Sequence, residues 1–211
     1  MPIKLPIERT RGLTELLNEL GCKTGAEIGT ANGQYAKWMF SRIKGLKLYC
    51  VDPYLAYRRY VEMSDKDGQH IYDKMFADAQ ARLAKKSVVF IRKTSAEAIN
   101  DFEDNSLDFV YIDGNHSFEY AVFDIAEWER KVRIGGVVAG HDYWNSIEKI
   151  KFRQHKLGVD QHEPNNQIER LKLCQVKDAV IAWTKTNVIS PWFITNENWR
   201  SSGPSWAYIK Q

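Results

Sequence analysis

The stretch Thr24-Gly-Ala-Glu-Ile-Gly-Thr-Ala-Asn-Gly33 decides how this chain folds. Its first five residues form a short strand candidate that runs straight into a glycine-marked loop, and a helix is predicted over 34–42. Glycines stand at 25, 29 and 33, four apart. Backbone that passes close to a ligand needs glycine, because a Cβ would collide with it. The spacing is neither the dinucleotide fingerprint G-x-G-x-x-G nor a Walker A loop, since no Gly-Lys-Ser/Thr follows. Pyrophosphate and nucleoside triphosphate binding are therefore disfavoured. The plainer reading is two turn glycines and the start of a helix.

Working outward, strand and helix patterns alternate. Upstream, Leu13, Leu16, Leu17 and Leu20 have helical spacing over 10–20, with Gly21 to close the helix. Downstream come a strand at 47–51 ending at Asp52-Pro53, a helix over 69–84, and a strand at 87–91. A short helix over 95–102 follows, capped by Thr94 or Ser95. Then come a strand at 107–112, a helix over 118–132, and a strand at 137–139 after the Gly135-Gly136 turn. Short, mostly apolar strands alternating with helices predict an α/β fold: a doubly wound, mostly parallel seven-stranded sheet with helices on both faces. The final strands, 192–195 and 206–209, follow a helix over 176–185 and read as an antiparallel C-terminal hairpin. The whole of 1–211 reads as a single domain carrying a polar insertion at about 143–172, either a substrate lid or a surface elaboration. Tyr54, Tyr57 and Tyr60 recur every third residue in an irregular segment. With Trp144 they line a ring-binding pocket or simply pack a helix, while Trp128 reads as core.

Composition narrows the function. The 211 residues carry a net charge of only +3, with no clustered basic face, so no nucleic-acid footprint is expected. Three cysteines, an odd number without metal or redox spacing, fit a reducing compartment. Residues 1–11 lack an apolar signal core, and no segment is apolar enough to span a membrane. A cytoplasmic protein acting on a small molecule is expected, its oligomeric state open, homodimer included.

In parallel sheets of this kind ligands bind beyond the carboxyl ends of the strands. Glu27, Asp52, Asp113 and Asp142 all fall there. Asp52 lies 19 residues past Gly33 and can accept hydrogen bonds from both hydroxyls of a ribose. Asp113 and His116 follow one strand, and His141 and Asp142 follow its neighbour. Four groups able to bind a metal or move a proton thus converge, unless they are only capping and turn residues. Carboxylate-rich sites suit Mg²⁺ or Mn²⁺, which would lower the pKa of a bound oxygen. A histidine near neutrality could instead take the proton.

These motifs, in this order, resemble the class I S-adenosylmethionine-dependent methyltransferases, nearest to a branch of macrocin-type and related antibiotic-sugar O-methyltransferases. The likeness runs over 24–142 and resumes at Val176-Lys-Asp-Ala-Val180 and Ser205-Trp-Ala-Tyr-Ile209. It implies a Rossmann-like methyltransferase fold and transfer of a methyl group from S-adenosylmethionine to a hydroxyl, on a sugar or an aromatic ring. It implies that Glu27, Gly29, Asn32 and Gly33 hold the methionine part of the cofactor, Asp52 the ribose, and Thr94 and Ser95 the adenine, with Asp113 also bordering the cofactor. It implies a metal at Asp113, His141 and Asp142, and His116 as base, with Asp113 and His141 beside it in catalysis. One departure stands out: the metal-dependent relatives carry an acid where this chain has His141, and Mg²⁺ prefers oxygen. A softer ion such as Mn²⁺, a metal on Asp113 and Asp142 alone, or a metal-free site with His116 or His141 as base all follow from that. Three other classes compete. A metal-dependent hydrolase using Asp113, His116, His141 and Asp142 leaves Glu27 to Gly33 and Asp52 without a task. A nicotinamide oxidoreductase has the wrong glycine spacing. A cofactor-binding module without catalysis would bind and not turn over.

Overall fold

Leu107–Ile112 shows why the sheet forms: Val110 and Ile112 point into one apolar layer, while Phe109 and Tyr111 point into another. Period-two alternation with both faces apolar is the signature of a strand covered by helices on each side. The computed structural model describes residues 2–56, 68–157, 174–196 and 203–211. Along the chain these form β1 (Ile3–Glu8), α1 (Arg9–Glu19), β2 (Thr24–Ile28), α2 (Gln34–Arg42), β3 (Lys47–Val51), α3 (Gly68–Arg82) and β4 (Val88–Ile91). They continue as α4 (Ser95–Ala98), β5 (Leu107–Ile112), α5 (Phe118–Lys131), β6 (Val132–Gly140), α6 (Ser146–Leu157), α7 (Val176–Thr186), β7 (Trp192–Asn196) and β8 (Trp206–Ile209).

The described strands form one sheet in the order β1-β7-β8-β6-β5-β2-β3-β4. Every neighbouring pair is parallel except those of β8, which runs antiparallel to both β6 and β7. This is the expected doubly wound α/β architecture with its C-terminal hairpin. The sheet has eight strands rather than seven, because residues 3–8 add a parallel edge strand beside β7. Chain direction across the sheet reverses between β2 and β5, so the crevice at their carboxyl ends is the topological switch point where such folds hold ligands.

Two layers flank the sheet. One contains Leu13 and Leu17 of α1, Tyr35 and Met39 of α2, and Leu83 just past α3. The other contains Ala121, Ile125 and Trp128 of α5, with Ala179 and Val180 of α7. Trp128 is fully buried, as its reading as core requires. At the opposite end from the crevice, the Asp108 carboxylate accepts the Lys23 and Thr24 backbone N–H groups at 2.8 Å each and is bridged by Arg133 Nε at 2.8 Å. These bonds fix where β2 begins, and hence where its far tip ends.

The insertion is not only loop. Asn145 and Glu148 cap α6 reciprocally: Asn145 Oδ1 accepts the Glu148 N–H at 2.9 Å, and a Glu148 carboxylate oxygen accepts the Asn145 N–H at 3.1 Å. The predicted 95–102 helix divides into α4 and a 3₁₀ turn at Ile99–Asp101. Residues 158–172 of the insertion, with Tyr57 and Tyr60, lie outside the described residues.

Candidate active site

The tips of β2, β3 and β4, with the start of α5, enclose a cleft of about 690 Å³. Gly29, Ala31, Asp52, Thr94, Ser95 and Asn115 contribute to its wall. Gly29 is in the left-handed region at φ +89, and a Cβ there would run into the backbone carbonyl oxygen of Asp113. The loop after β2 therefore lies backbone to backbone against the tip of β5, a contact reinforced by the Asp113 N–H bonded to the Ile28 carbonyl at 2.7 Å.

Asp52 holds this loop from the other side. One carboxylate oxygen accepts the Ala31 N–H at 2.8 Å and the other accepts the Tyr54 N–H at 2.9 Å. The Tyr54 hydroxyl donates to the Ala31 carbonyl at 2.9 Å. Burial pushes the Asp52 carboxyl above its ordinary value, and the two backbone bonds offset this only in part. Ala31 and Tyr54 both take left-handed φ angles of 47° and 49°, a costly conformation for residues with a Cβ that persists where surrounding bonds enforce it. Tyr54 is buried with its ring tilted at 47° against Phe76, 4.8 Å between centroids, so it braces the loop.

Thr94 caps α4: its hydroxyl accepts the Glu97 N–H at 3.3 Å, and the Glu97 carboxylate accepts the Thr94 N–H at 2.9 Å. Ser95 sits within a relay, accepting the Trp128 Nε1–H at 2.7 Å and donating to Asp124. Three predicted cofactor residues stand behind the wall. Glu27 is buried, paired in register with Cys50 of β3, whose thiol lies 3.9 Å from its carboxylate. Asn32 accepts the Gln34 N–H through its side chain at 3.2 Å and an Arg82 bond through its carbonyl. Gly33, at φ 72, starts α2.

The second half of the site lies beyond β5 and β6. Two carboxylates and two imidazoles interleave. His116 Nε2 is 3.4 Å from Asp113 Oδ1 and 3.7 Å from Asp142 Oδ2. His141 Nδ1 is 3.4 Å from Asp113 Oδ2 and 3.2 Å from Asp142 Oδ1. His141 is pinned by its other nitrogen, which donates to the Gly203 carbonyl at 3.2 Å. Lys149, nearly buried, donates to Asp142 Oδ2 at 2.9 Å. Burial alone would raise both carboxyls. The charge of His141, with the bonds and charge of His116, outweighs it at Asp113; the charges of His141, Lys149 and His116 outweigh it at Asp142. Both are held well below the usual carboxylate range.

The sequence expectation thus brings Asp113, His116, His141 and Asp142 together, but not as a metal cage. Among the described residues no group of three or more His, Cys, Asp or Glu is disposed to hold a metal ion. Each carboxylate oxygen of Asp113 and Asp142 already faces a nitrogen of this chain. A divalent ion needs those oxygens open, and prefers oxygen to the nitrogens present if it is magnesium.

Two residues of the site escaped the sequence reading. Asp124 lines the cleft and is buried, and burial pushes its carboxyl up to about 7 against the lowering bond from Ser95. Its signal was available: Ala121, Asp124, Ile125 and Trp128 form the buried stripe of α5, so an acid sits at an apolar-face position. Lys149 gave none, being one of several lysines in a polar segment. Trp144 is buried against Gly203 and forms no part of the cleft wall.

The chain is similar to known proteins. A family profile described as a methyltransferase domain matches residues 26–143, more than half of the chain. A curated relative, the uncharacterized protein y4gI of Sinorhizobium fredii, is 32% identical over 95 residues, 45% of this chain and 10% of that protein. The match thus spans about a tenth of that relative's length. Among solved structures, a candidate caffeoyl-CoA O-methyltransferase from Staphylococcus aureus superimposes with a TM-score of 0.63 at 16% identity, over 98% of this chain and 86% of that one. An O-methyltransferase from Bacillus cereus in complex with SAH gives 0.58 at 14% identity, over 96% and 80%. The O-methyltransferase TomG of Streptomyces achromogenes in complex with SAM gives 0.55 at 15%, over 96% and 80%. At these identities the likeness establishes the fold.

Proposed function

The chain belongs to the methyltransferase domain family, and we propose that it transfers a methyl group from S-adenosylmethionine to a hydroxyl of a small molecule, with His116 as the base. The observation that carries this is the contact between the two halves of the site. Gly29, in the wall of the cleft, touches the backbone of Asp113, whose side chain is 3.4 Å from His116. A ligand seated in the cleft is thereby placed next to a group that can move a proton.

The cleft suits the cofactor. Its size lies within the roughly 300–1,000 Å³ of small-molecule sites, and its wall is mainly apolar with a few placed polar groups. Asp52 keeps acceptor capacity beyond its two backbone bonds and would receive ribose hydroxyls. Thr94 and Ser95, with Asp124 behind, would border the adenine, and the loop carrying Gly29 and Asn32 the methionine part. When bound, the cofactor supplies a methyl group already activated on a sulfonium. The chain's task is then to hold the acceptor oxygen in line and to take its proton. Asp113 and Asp142, both ionised beside His116, would stabilise the imidazolium formed when it does so.

A sugar or aromatic hydroxyl is the acceptor class we infer, from the motif order shared with the macrocin-type branch. The three buried free cysteines support the cytoplasmic setting read from the sequence, and among the described residues no helix is long and apolar enough to cross a membrane. Titration calorimetry with S-adenosylhomocysteine tests the reading. Wild-type protein should bind, and Asp52→Ala should lose about 10- to 100-fold in affinity, the worth of charge-assisted bonds to buried hydroxyls. Unchanged affinity in the variant would contradict the ribose assignment, and no binding by wild type would contradict the function.

A further inference from the structure

We propose that Lys149 is the resident cation of the strand-end cluster: its ammonium takes the place beside Asp142 that a divalent ion would take, and the site works without a metal. The proposal concerns the acceptor half of the site assigned above and rests on that assignment only for its consequence in turnover.

The geometry leaves no carboxylate oxygen uncommitted. Asp113 Oδ1 faces His116 at 3.4 Å and Asp113 Oδ2 faces His141 at 3.4 Å. Asp142 Oδ1 faces His141 at 3.2 Å and Asp142 Oδ2 faces Lys149 at 2.9 Å. A metal entering here would have to displace the ammonium and then remain next to its charge. Divalent ions of this kind bind through several oxygens and keep water, whereas this cluster offers two carboxylates already bonded to nitrogen.

Lys149 is also built in rather than draped over the site. It is only 7% exposed. Its helix starts from the reciprocal Asn145–Glu148 cap, and Glu148 is bridged in turn by Lys177 of α7. The Ser146 hydroxyl donates to the Cys174 carbonyl at 3.1 Å, and the Lys177 N–H to the Trp144 carbonyl at 3.0 Å. Asp142 itself is held at φ 48, and its carboxylate meets this helix at Lys149. The insertion that interrupts the chain after β6 thus delivers one side chain to the chemistry. An ammonium fixed there keeps Asp142 a carboxylate beside His116 and presents positive charge where a proton leaves the acceptor.

The experiment uses Mn²⁺ alone as the probe, read by electron paramagnetic resonance of the free ion, with S-adenosylhomocysteine binding measured on the same samples with and without EDTA. Wild type and Lys149→Arg, which both keep the cation, should take up no stoichiometric Mn²⁺, and EDTA should leave S-adenosylhomocysteine affinity unchanged. Lys149→Met, which removes the ammonium from Asp142 Oδ2, should gain at least about tenfold in Mn²⁺ affinity, and Asp142→Asn in that background should remove the gain. Tight uptake of one Mn²⁺ per chain by wild type, abolished by Asp142→Asn, would overturn the proposal. So would a Lys149→Met protein that binds S-adenosylhomocysteine normally yet gains no Mn²⁺ affinity. If Lys149→Met does not melt cooperatively, Lys149→Ala, which likewise removes the ammonium from Asp142 Oδ2, is read by the same criterion. A wild type that binds no S-adenosylhomocysteine would sink methyl transfer, and the Mn²⁺ comparison would still decide the role of Lys149.

Discussion

The two halves of the site bury their acids alike and charge them oppositely. On the cofactor side, burial pushes Asp52 and Asp124 upward, and the bonds that oppose it come from backbone N–H groups and one serine. On the acceptor side, burial acts on Asp113 and Asp142 in the same direction, yet His141, His116 and Lys149 reverse the outcome. Neutral backbone and hydroxyl donors only moderate the cost of burying a carboxylate, while the imidazole and ammonium groups beside Asp113 and Asp142 outweigh it. One half is therefore assembled by backbone shape and the other by side-chain charge.

Gly29→Ala attacks a close contact between the halves. The added Cβ meets backbone that cannot rotate away, at a positive φ that alanine resists. We expect a loss of about 3–5 kcal/mol in urea denaturation, together with loss of S-adenosylhomocysteine binding. A folded, binding-competent variant would show that the halves are independent. His116→Ala should strike the acceptor half alone: turnover falls on the order of 10²- to 10⁴-fold while cofactor affinity stays within about twofold. Equal losses in both would remove His116 from the role of base.

Asp124→Asn separates the halves by pH. The folded-state carboxyl of Asp124 titrates near 7, above its ordinary 3.8. A raised acid binds more protons folded than unfolded, so the stability it contributes is present at low pH and lost as pH climbs from about 4 to about 7. Between pH 5 and 8 the wild type should lose about 2–3 kcal/mol through this group, and the asparagine variant should lack that slope. An identical slope in both would place the titration elsewhere. The smallest effect is expected from Asn145→Ala, which removes the cap of the helix bearing Lys149. About 1 kcal/mol of stability should go, with cofactor affinity untouched. A loss of cofactor affinity would mean that α6 supports the cleft as well.

The same contrast governs what could be read from the sequence. The convergence of the cleft residues was legible because its parts are local: Gly29, Asp52 and Thr94 each sit at the end of a predicted strand, and they line one cleft. Asp113, His116, His141 and Asp142 were legible for the same reason. Their company was not. Lys149 arrives from a helix whose only sequence mark is the Asn145-to-Glu148 cap, and Gly203, which pins His141, lies 62 residues downstream of it. With those partners unseen, the two acids and two histidines were read as able to hold a metal or to move a proton, and the sequence offered nothing to choose between these. The eighth strand was missed because Pro6 interrupts the strand signal of residues 3–8, a residue that sheets tolerate at edges and bulges, and β1 is an edge with a register shift between Lys4 and Glu8. The long start of β6 was hidden by the Gly135-Gly136 pair, where the register with β5 shifts.

That edge strand has a consequence for the molecule in concentrated solution. β7 would otherwise present a bare ladder of N–H and C=O groups, an invitation to the corresponding strand of another molecule. β1 covers it, and β1 is a poor host in turn: Pro6 lacks an N–H, and its register slips between Lys4 and Glu8. Residues 3–8 thus act as a terminator at this edge of the sheet, and we expect a truncation that removes them to raise edge-to-edge association, read as a larger mass in light scattering.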